Sequence, residues 1–298
     1  MPKIYIDGQA GTTGLEIYER LSKRENIELM LIPEEKRKDI AARKEFLNSC
    51  DLAFLCLPDA ASIEAVSLIE NPNVKVIDAS TAHRTKWTYG FSELGFKEKI
   101  QNSNFVANPG CHASGCISIL YPLLKKKLIS SNDSYSLFSL TGYSGGGKKM
   151  IHQYENEKEE KLEAPGIYGL TQNHKHLPEV KTICELSKPI LLNPIVCDYY
   201  RGMATNLNVE LDCQLVYECL HEWYKDCALI TVKEQYEGTI YANAMAGKDC
   251  MQIIVSGNRE RCSITSIFDN LGKGACGAAI QNMNIMLGFD EKEGLIVE

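Results

Sequence analysis

The first hundred residues alternate between two hydrophobic patterns. Short, almost continuously apolar runs predict strands at KIYID (3–7), IELMLIP (27–33), DLAFLCLP (51–58) and VKVIDAS (74–80). Between them, GLEIYERLSKR carries Leu15, Ile17, Tyr18 and Leu21 at helical spacing, and KDIAARKEFLNSC and AASIEAVSLIEN read as further helices. Strands that are apolar on both faces and alternate with helices predict a parallel sheet covered on both sides. That is a Rossmann-type, doubly wound α/β fold.

The pattern changes after residue 110. CHASGCISILYPLLKK (111–126) reads as a helix, and SYSLFSLTGYS (134–144) as a strand entering a glycine-rich turn. HQYENEKEEKLEAPG (152–166) is polar on all sides and reads as a surface excursion. The long stretches 189–211 and 251–258 suit a mixed or antiparallel sheet, with a helix at 215–226 between them. The last segment, GACGAAIQNMNIMLG (274–288), is a small-residue, apolar helix. These patterns predict a nucleotide-binding domain at 1–110, an α+β domain with a mixed sheet at 111–270, and a final helical segment at 271–298 returning to the first.

Composition narrows the class. The chain has 298 residues, 44% of them hydrophobic and 24% charged, as expected of a soluble globular protein. A formal net charge of −7 disfavours a nucleic-acid partner, which calls for a basic face. The twelve cysteines sit mostly singly in apolar runs, with no CxxC pair. They read as buried thiols in a reducing cytoplasm rather than as a disulfide framework. An opening strand argues against a signal peptide, and no apolar run is long enough for a membrane span.

Gly8, Gly11 and Gly14 lie between the first strand and the first helix, in IDGQAGTTGLEI. Glycines there let the backbone turn sharply and approach a pyrophosphate, which the helix N-terminus attracts. Thr12 and Thr13 add hydroxyl donors. The competing reading is an ordinary strand-to-helix turn. At the end of the second strand, Glu34 and Glu35 compete with Lys36, Arg37 and Lys38. Basic residues there could receive a 2′-phosphate and so favour NADP; the alternative is a solvated helix start.

In ANPGCHASG, the Asn108-Pro109-Gly110 turn places Cys111 at the opening of a helix. There the dipole and unpaired N–H groups favour the thiolate. A nucleophilic cysteine needs an acid/base partner, and His174 and His176 in QNHKHLPE are the candidates. In an extended segment their side chains would point to opposite sides. A metal site would need a third ligand, which the sequence does not indicate. His83 and His112 are candidates to line the site, and His152 and His221 read as surface residues. Anion recognition has three candidates: the SGGGKKM turn with Ser144, Gly145 and Lys148, then Arg84 after a predicted sheet edge, and Arg201. Each basic residue could equally be an ordinary surface charge.

IDGQAGTTG, FLCLPD, DASTAHRT, ANPGCHASG, TGYSGGGKKM, YGLTQNHKHLPE and DNLGKGACGAAIQNMN occur in that order. Together they resemble the short form of the N-acetyl-γ-glutamyl-phosphate reductase family, nearly end to end. That family is similar to aspartate-semialdehyde and glyceraldehyde-phosphate dehydrogenases. The resemblance implies a cytoplasmic homo-oligomer, dimer or tetramer, acting on a small acyl phosphate in arginine biosynthesis. It implies that Cys111 attacks the acyl phosphate to give a thioester, and that NADPH delivers hydride. A histidine of the HKHLPE motif, His174 ahead of His176, would then serve the thiohemiacetal oxyanion. It also implies NADP contacts at Ser80, at Gly274 in the GKGACG turn and at Asn282, with Asn108 near the substrate. Where the long form carries Tyr-Pro-Thr after the cysteine, this chain has His112, Ala113 and Ser114, and Lys148 replaces an arginine. Rival readings are an enzyme for another acyl phosphate, a regulatory protein that kept the fold, and a cysteine hydrolase.

Overall fold

The computed structural model describes residues 1–297, which divide into two units. The first comprises Met1–Pro109 and Ala275–Leu295; the second comprises Gly110–Gly274 and the residues from Ile296 on.

The first unit begins with β1 (Lys3–Asp7), α1 (Thr12–Leu21), β2 (Glu28–Met30), α2 (Ile40–Ser49), β3 (Leu52–Leu55), α3 (Asp59–Ser67) and β4 (Lys75–Asp78). It continues through β5 (Thr88–Tyr89), α4 (Lys97–Gln101) and β6 (Phe105–Ala107). All the pairings in this sheet are parallel, in the order β2-β1-β3-β4-β6-β5. The apolar runs form strands because both faces are covered. Ile4, Ile6 and Phe54 pack into one core, and Tyr5, Ala53 and Leu55 into another on the opposite face. Asp39 starts α2 by accepting the Ala42 N–H at 2.8 Å, a side-chain cap worth about 1 kcal/mol. The strand order reverses at β1, so the crevice beyond the C-terminal ends of β1 and β3 is where such sheets bind ligands.

The second unit opens with α5 (Cys111–Lys125), which is buried on all sides from His112 to Leu123. Pro122 lies inside it and removes one backbone donor. The Ser118 carbonyl, which that N–H would have met, accepts the Tyr224 hydroxyl at 2.8 Å instead. There follow β7 (Ser136–Gly142), α6 (Gly147–Asn156), β8 (Gly166–Ile167), α7 (Leu177–Ile183), β9 (Leu191–Cys197), β10 (Met203–Val209) and α8 (Cys213–Tyr224). The unit closes with β11 (Ile230–Glu234), β12 (Met251–Gly257) and β13 (Cys262–Phe268). The sheet is mixed, in the order β11-β12-β13-β10-β7-β9-β8, with β7·β9 and β11·β12 parallel and the rest antiparallel. The last helix, α9 (Gly277–Leu287), belongs to the first unit, where Ile280, Met283 and Met286 join the core of Ile4 and Ile6.

The structure bears out the Rossmann-type sheet and the mixed second sheet, and it refines three segments. The stretch 189–211 is two strands that flank β7 rather than pair with each other, broken where Gly202 takes φ +127°. The polar run from 152 begins as the end of α6, because Tyr154 is buried and stacks on Tyr143 with centroids 4.6 Å apart. β5 and β6 are too short, and β11 too polar at its end, to announce themselves. Among the described residues no helix is long and apolar enough to cross a membrane, and no group of His, Cys, Asp and Glu could hold a metal ion.

Candidate active site

In the first unit, the chain leaves β1 through the glycine loop. Gly8 has φ +88°, and a Cβ there would lie 2.3 Å from the Cys56 carbonyl oxygen. A Cβ on Gly14 would lie 2.5 Å from the Gly8 carbonyl oxygen. Gly11 precedes Thr12 and Thr13 at the start of α1, with no side-chain cap and no acidic residue in the first turn. That leaves a helix end whose N–H groups and dipole favour an anion. Directly before the loop, Asp7 accepts two bonds from Arg43, at 2.9 and 3.1 Å, and Arg43 also reaches Glu64 at 2.8 Å. Lys36 is exposed in a single 3-10 turn after β2, and Arg37 follows with its guanidinium 3.5 Å from Glu34.

At the end of β4 the buried Asp78 carboxylate organises the next loop. It accepts the Ser62 hydroxyl (2.8 Å), the Ser80 N–H (2.9 Å) and the Ser80 hydroxyl (2.7 Å), and it meets His83 Nδ1 at 2.6 Å. His83 stacks on Trp87. Arg84 is buried and donates to the carbonyls of Asn108 (3.0 Å) and Ala79 (2.9 Å). Asn282 on α9 donates to the Gly90 carbonyl (2.9 Å) and to Asn108 Oδ1 (3.2 Å). The structure thus brings Ser80, Arg84, Asn108 and Asn282 into one polar framework of the first unit.

In the second unit, Gly110 caps α5 and Cys111 is its first residue, half-buried. The Gly110 N–H donates to the buried Glu179 carboxylate at 2.8 Å. A Cβ on Gly274 would come within 3.1 Å of Cys111 Cβ, so glycine there lets the chain pass closely beside the thiol-bearing residue. Among the described residues no cysteine is in a disulfide. Burial pushes the Cys50, Cys56 and Cys262 thiols up to about 12 and also raises those of Cys116 and Cys184, so these are poor nucleophiles.

Three histidines form a cluster that includes His112, the residue after Cys111. The rings of His174 and His176 meet edge to face at 4.8 Å, and that of His112 lies 5.4 Å from His174 and 5.9 Å from His176. The 174–176 segment is therefore a turn into α7, and both predicted histidines join one cluster instead of pointing apart. The His176 N–H donates to His174 Nδ1 at 3.2 Å, which places the proton of neutral His174 on Nε2. Burial first, and the Lys175 charge second, hold the His174 imidazole below its ordinary range. His112 is fully enclosed, with Nδ1 2.7 Å from the Ser139 hydroxyl and Nε2 2.6 Å from the Tyr168 hydroxyl. Burial, followed by the charges of His174 and Lys175, takes it down to about 3.

Of the anion candidates of this unit, Arg201, Ser144 and Gly145 also converge, around Asp269 and Asn270. Arg201 Nε lies 2.6 Å from Asp269, whose carboxylate accepts the Leu271 and Gly272 N–H groups as well. The neighbouring Asn270 donates to the Ser144 hydroxyl at 2.9 Å and accepts the Gly202 N–H at 2.9 Å. Gly145, in the 3-10 turn before α6, and Lys148, in its first turn, are exposed. His152 and His221 are exposed, as expected. Sequence reasoning overlooked Tyr168, Glu179, Asp269 and Asn270, all of which lie inside motifs it had singled out. It also overlooked Asp78, the first residue of DASTAHRT, and Arg43, whose partners Asp7 and Glu64 are distant in sequence.

Residues 3–103 match the family described as "Semialdehyde dehydrogenase, NAD binding domain", and residues 111–270 match "Semialdehyde dehydrogenase, dimerisation domain". An N-acetyl-gamma-glutamyl-phosphate reductase 2 from Nostoc sp. is 41% identical, over 99% of each chain. Its counterpart from Pseudomonas putida is 38% identical, over 98% of this chain and 99% of that one. Among solved structures, aspartate semialdehyde dehydrogenase from Francisella tularensis superposes with a TM-score of 0.73 at 13% identity, covering 96% of this chain and 100% of that one. The Vibrio cholerae aspartate semialdehyde dehydrogenase II complexed with ASA gives 0.69 at 15%, covering 97% and 98%. At such identities the structural likeness speaks to the fold alone.

Proposed function

The chain belongs to the N-acetyl-γ-glutamyl-phosphate reductase family, and on that premise we propose that it reduces N-acetyl-γ-glutamyl phosphate to N-acetylglutamate 5-semialdehyde and phosphate, in arginine biosynthesis, through a thioester on Cys111. The observation that carries the mechanism is the position of Cys111: first residue of a helix, with the next residue, His112, in a cluster with His174 and His176. The helix N-terminus favours its thiolate.

Cys111 Sγ attacks the acyl carbon, the C–S bond forms, and the bond from that carbon to the phosphate oxygen breaks. The residue is left as a thioester. NADPH, when bound, supplies the hydride that reduces the thioester carbon. The oxygen then carries the charge of a thiohemiacetal; it re-forms C=O as the C–S bond breaks, and the thiolate returns. The net proton consumed ends on phosphate. His174 Nε2–H is the donor we assign to the charged oxygen, and His176 orients it by donating its backbone N–H to Nδ1. A positioned acid/base group of this kind contributes about 10²–10⁴-fold.

The glycine loop fits a dinucleotide, because the space a Cβ would fill at Gly8 and Gly14 is needed by the turn itself, and the α1 N-terminus it leads to is uncapped. Gly8, Gly11, Thr12, Thr13 and Gly14 would hold the pyrophosphate. Lys36 and Arg37 would meet the 2′-phosphate, and Ser80, Gly274 and Asn282 would complete the cofactor site. Ser144, Gly145, Lys148 and Arg201 would hold the anionic ends of the substrate, with Arg84 and Asn108 shaping the site as buried struts. The dimerisation-domain match supports a homo-oligomer, which we assign as a dimer or tetramer in the cytoplasm.

The test runs the reaction backwards. N-acetylglutamate semialdehyde, phosphate and NADP are mixed with the protein, and absorbance is followed at the NADPH band. Signal with the wild type and none with Cys111→Ser supports the reading. Turnover of a different aldehyde alone would move the substrate assignment, and full activity in Cys111→Ser would remove the thioester.

A further inference from the structure

His112 is buried, polar and unclaimed by the mechanism above. It sits in a file of four hydrogen-bonding side chains, all in the second unit. Thr205 Oγ1 lies 2.8 Å from Ser139 Oγ, Ser139 Oγ lies 2.7 Å from His112 Nδ1, and His112 Nε2 lies 2.6 Å from the Tyr168 hydroxyl. Tyr168 stands close enough to Cys111 for a thiolate there to push the phenol up, a smaller contribution than that of burial. Both effects keep the phenol protonated, as a donor rather than a base.

A file of this kind can run in two directions. A neutral imidazole donates from one nitrogen and accepts at the other. In one direction Tyr168 donates inward to Nε2, Nδ1–H donates to Ser139, and Ser139 donates to Thr205. The Thr205 hydroxyl hydrogen then needs a further acceptor. Thr205 is fully buried, and Ser139 is its side chain's one hydrogen-bond partner among the described residues. An orphaned buried donor costs about 1–3 kcal/mol. In the opposite direction Thr205 donates to Ser139, Ser139 to Nδ1, and Nε2–H to the Tyr168 oxygen. Every buried hydrogen is then matched, and the last one, on Tyr168, is released toward the solvent-accessible end of the file.

We propose that His112 is a positioning residue, and that the Thr205–Ser139–His112 file turns the Tyr168 hydroxyl outward as a second hydrogen-bond donor to the acyl oxygen on Cys111. The inference rests on the thioester reading. It assigns Tyr168 a catalytic contact that the paired histidines alone do not supply. His112 acts only through Tyr168.

Three measurements test it. In protein labelled with ¹⁵N-histidine, His112 is expected as the neutral Nε2–H tautomer between pH 6 and 8; the Nδ1–H tautomer would overturn the proposed direction. In kinetics, Tyr168→Phe is expected to lower kcat about 100-fold, as for loss of one oxyanion donor, with KM for NADPH held within about twofold. His112→Phe should show the same split, and the double variant should be no slower than either single one, because the two residues act as a unit. His112→Gln, whose amide can still donate to Tyr168, should recover part of the loss. Multiplying losses in the double variant would refute the positioning role. The rate of Cys111 alkylation by iodoacetamide should be unchanged in His112→Gln; a matching fall there would mean that His112 acts on the thiol instead. Activity surviving in Cys111→Ser would sink the thioester reading by itself, whatever the His112 variants show.

Discussion

The glycine loop allows folding and cofactor binding to be separated by two single methyl groups. Gly8 combines φ +88° with a Cβ position 2.3 Å from the Cys56 carbonyl oxygen, far inside any tolerable contact. The left-handed conformation alone costs an alanine about 1–2 kcal/mol. Relief of the clash must move backbone between β1 and β3, since the obstacle is a carbonyl and not a flexible side chain. Gly8→Ala should therefore destabilise the protein by about 2–4 kcal/mol. Gly11 is different: its φ is −73°, and a Cβ would meet the Gly8 carbonyl oxygen at 3.4 Å, an ordinary contact. Alanine there gains about 0.4–1 kcal/mol from a stiffer unfolded chain and loses about as much as a poorer N-cap, so the net change is near zero. A methyl at Gly11 nevertheless stands where a pyrophosphate would approach the α1 N-terminus. Urea unfolding should separate the variants, with only Gly8→Ala shifted. NADPH titration by fluorescence should show Gly11→Ala weakened about tenfold or more, equal to about 1.4 kcal/mol. Unchanged NADPH affinity in Gly11→Ala would refute the assignment of this loop to the cofactor, and wild-type stability in Gly8→Ala would refute the strain argument.

Three further outcomes are expected. His174→Ala should slow turnover far more than it weakens NADPH binding in direct titration; a matching collapse in affinity would mark the residue as structural. Lys36→Glu combined with Arg37→Glu should raise KM for NADPH but not for NADH, and equal effects would remove the 2′-phosphate assignment. His112 is held near 3, below its unfolded value of about 6.5, so the unfolded chain takes up a proton that the folded protein refuses. Stability should therefore fall as pH drops from about 6.5 towards 3, by roughly 5 kcal/mol at most, with His174 adding in the same direction. Unfolding free energies measured from pH 7 to 4 should decline less steeply in His112→Gln, and parallel curves would show that His112 does not titrate this way.

The first sheet was legible because its strands are apolar on both faces, so period and length suffice to find β1, β3 and β4. Cys111 was legible because a helix start following Pro-Gly is itself a chemical statement. The partners that hold the site were not. Asp269 reaches back to Arg201, and Asn270 to Ser144, across 68 and 126 positions of sequence, respectively. Tyr168 is a single aromatic in a loop, without periodicity to mark it, and becomes meaningful only when His112 is found 2.6 Å away. The reading of His174 and His176 as opposed assumed an extended chain, and the turn into α7 reversed it. The break at Gly202 was hidden because the residues on both sides of it have strand character.

The path of α9 has a consequence for synthesis on the ribosome. Ala279, Ile280, Met283 and Met286 pack with Ile4, Ile6 and Ile17 in a core that no earlier segment completes. The N-terminal unit is thus the first to emerge but stays unfinished until α9 has been made, waiting with an open apolar face while residues Gly110–Gly274 are added. A message truncated shortly before Gly277 would therefore cripple a unit whose six strands it encodes in full.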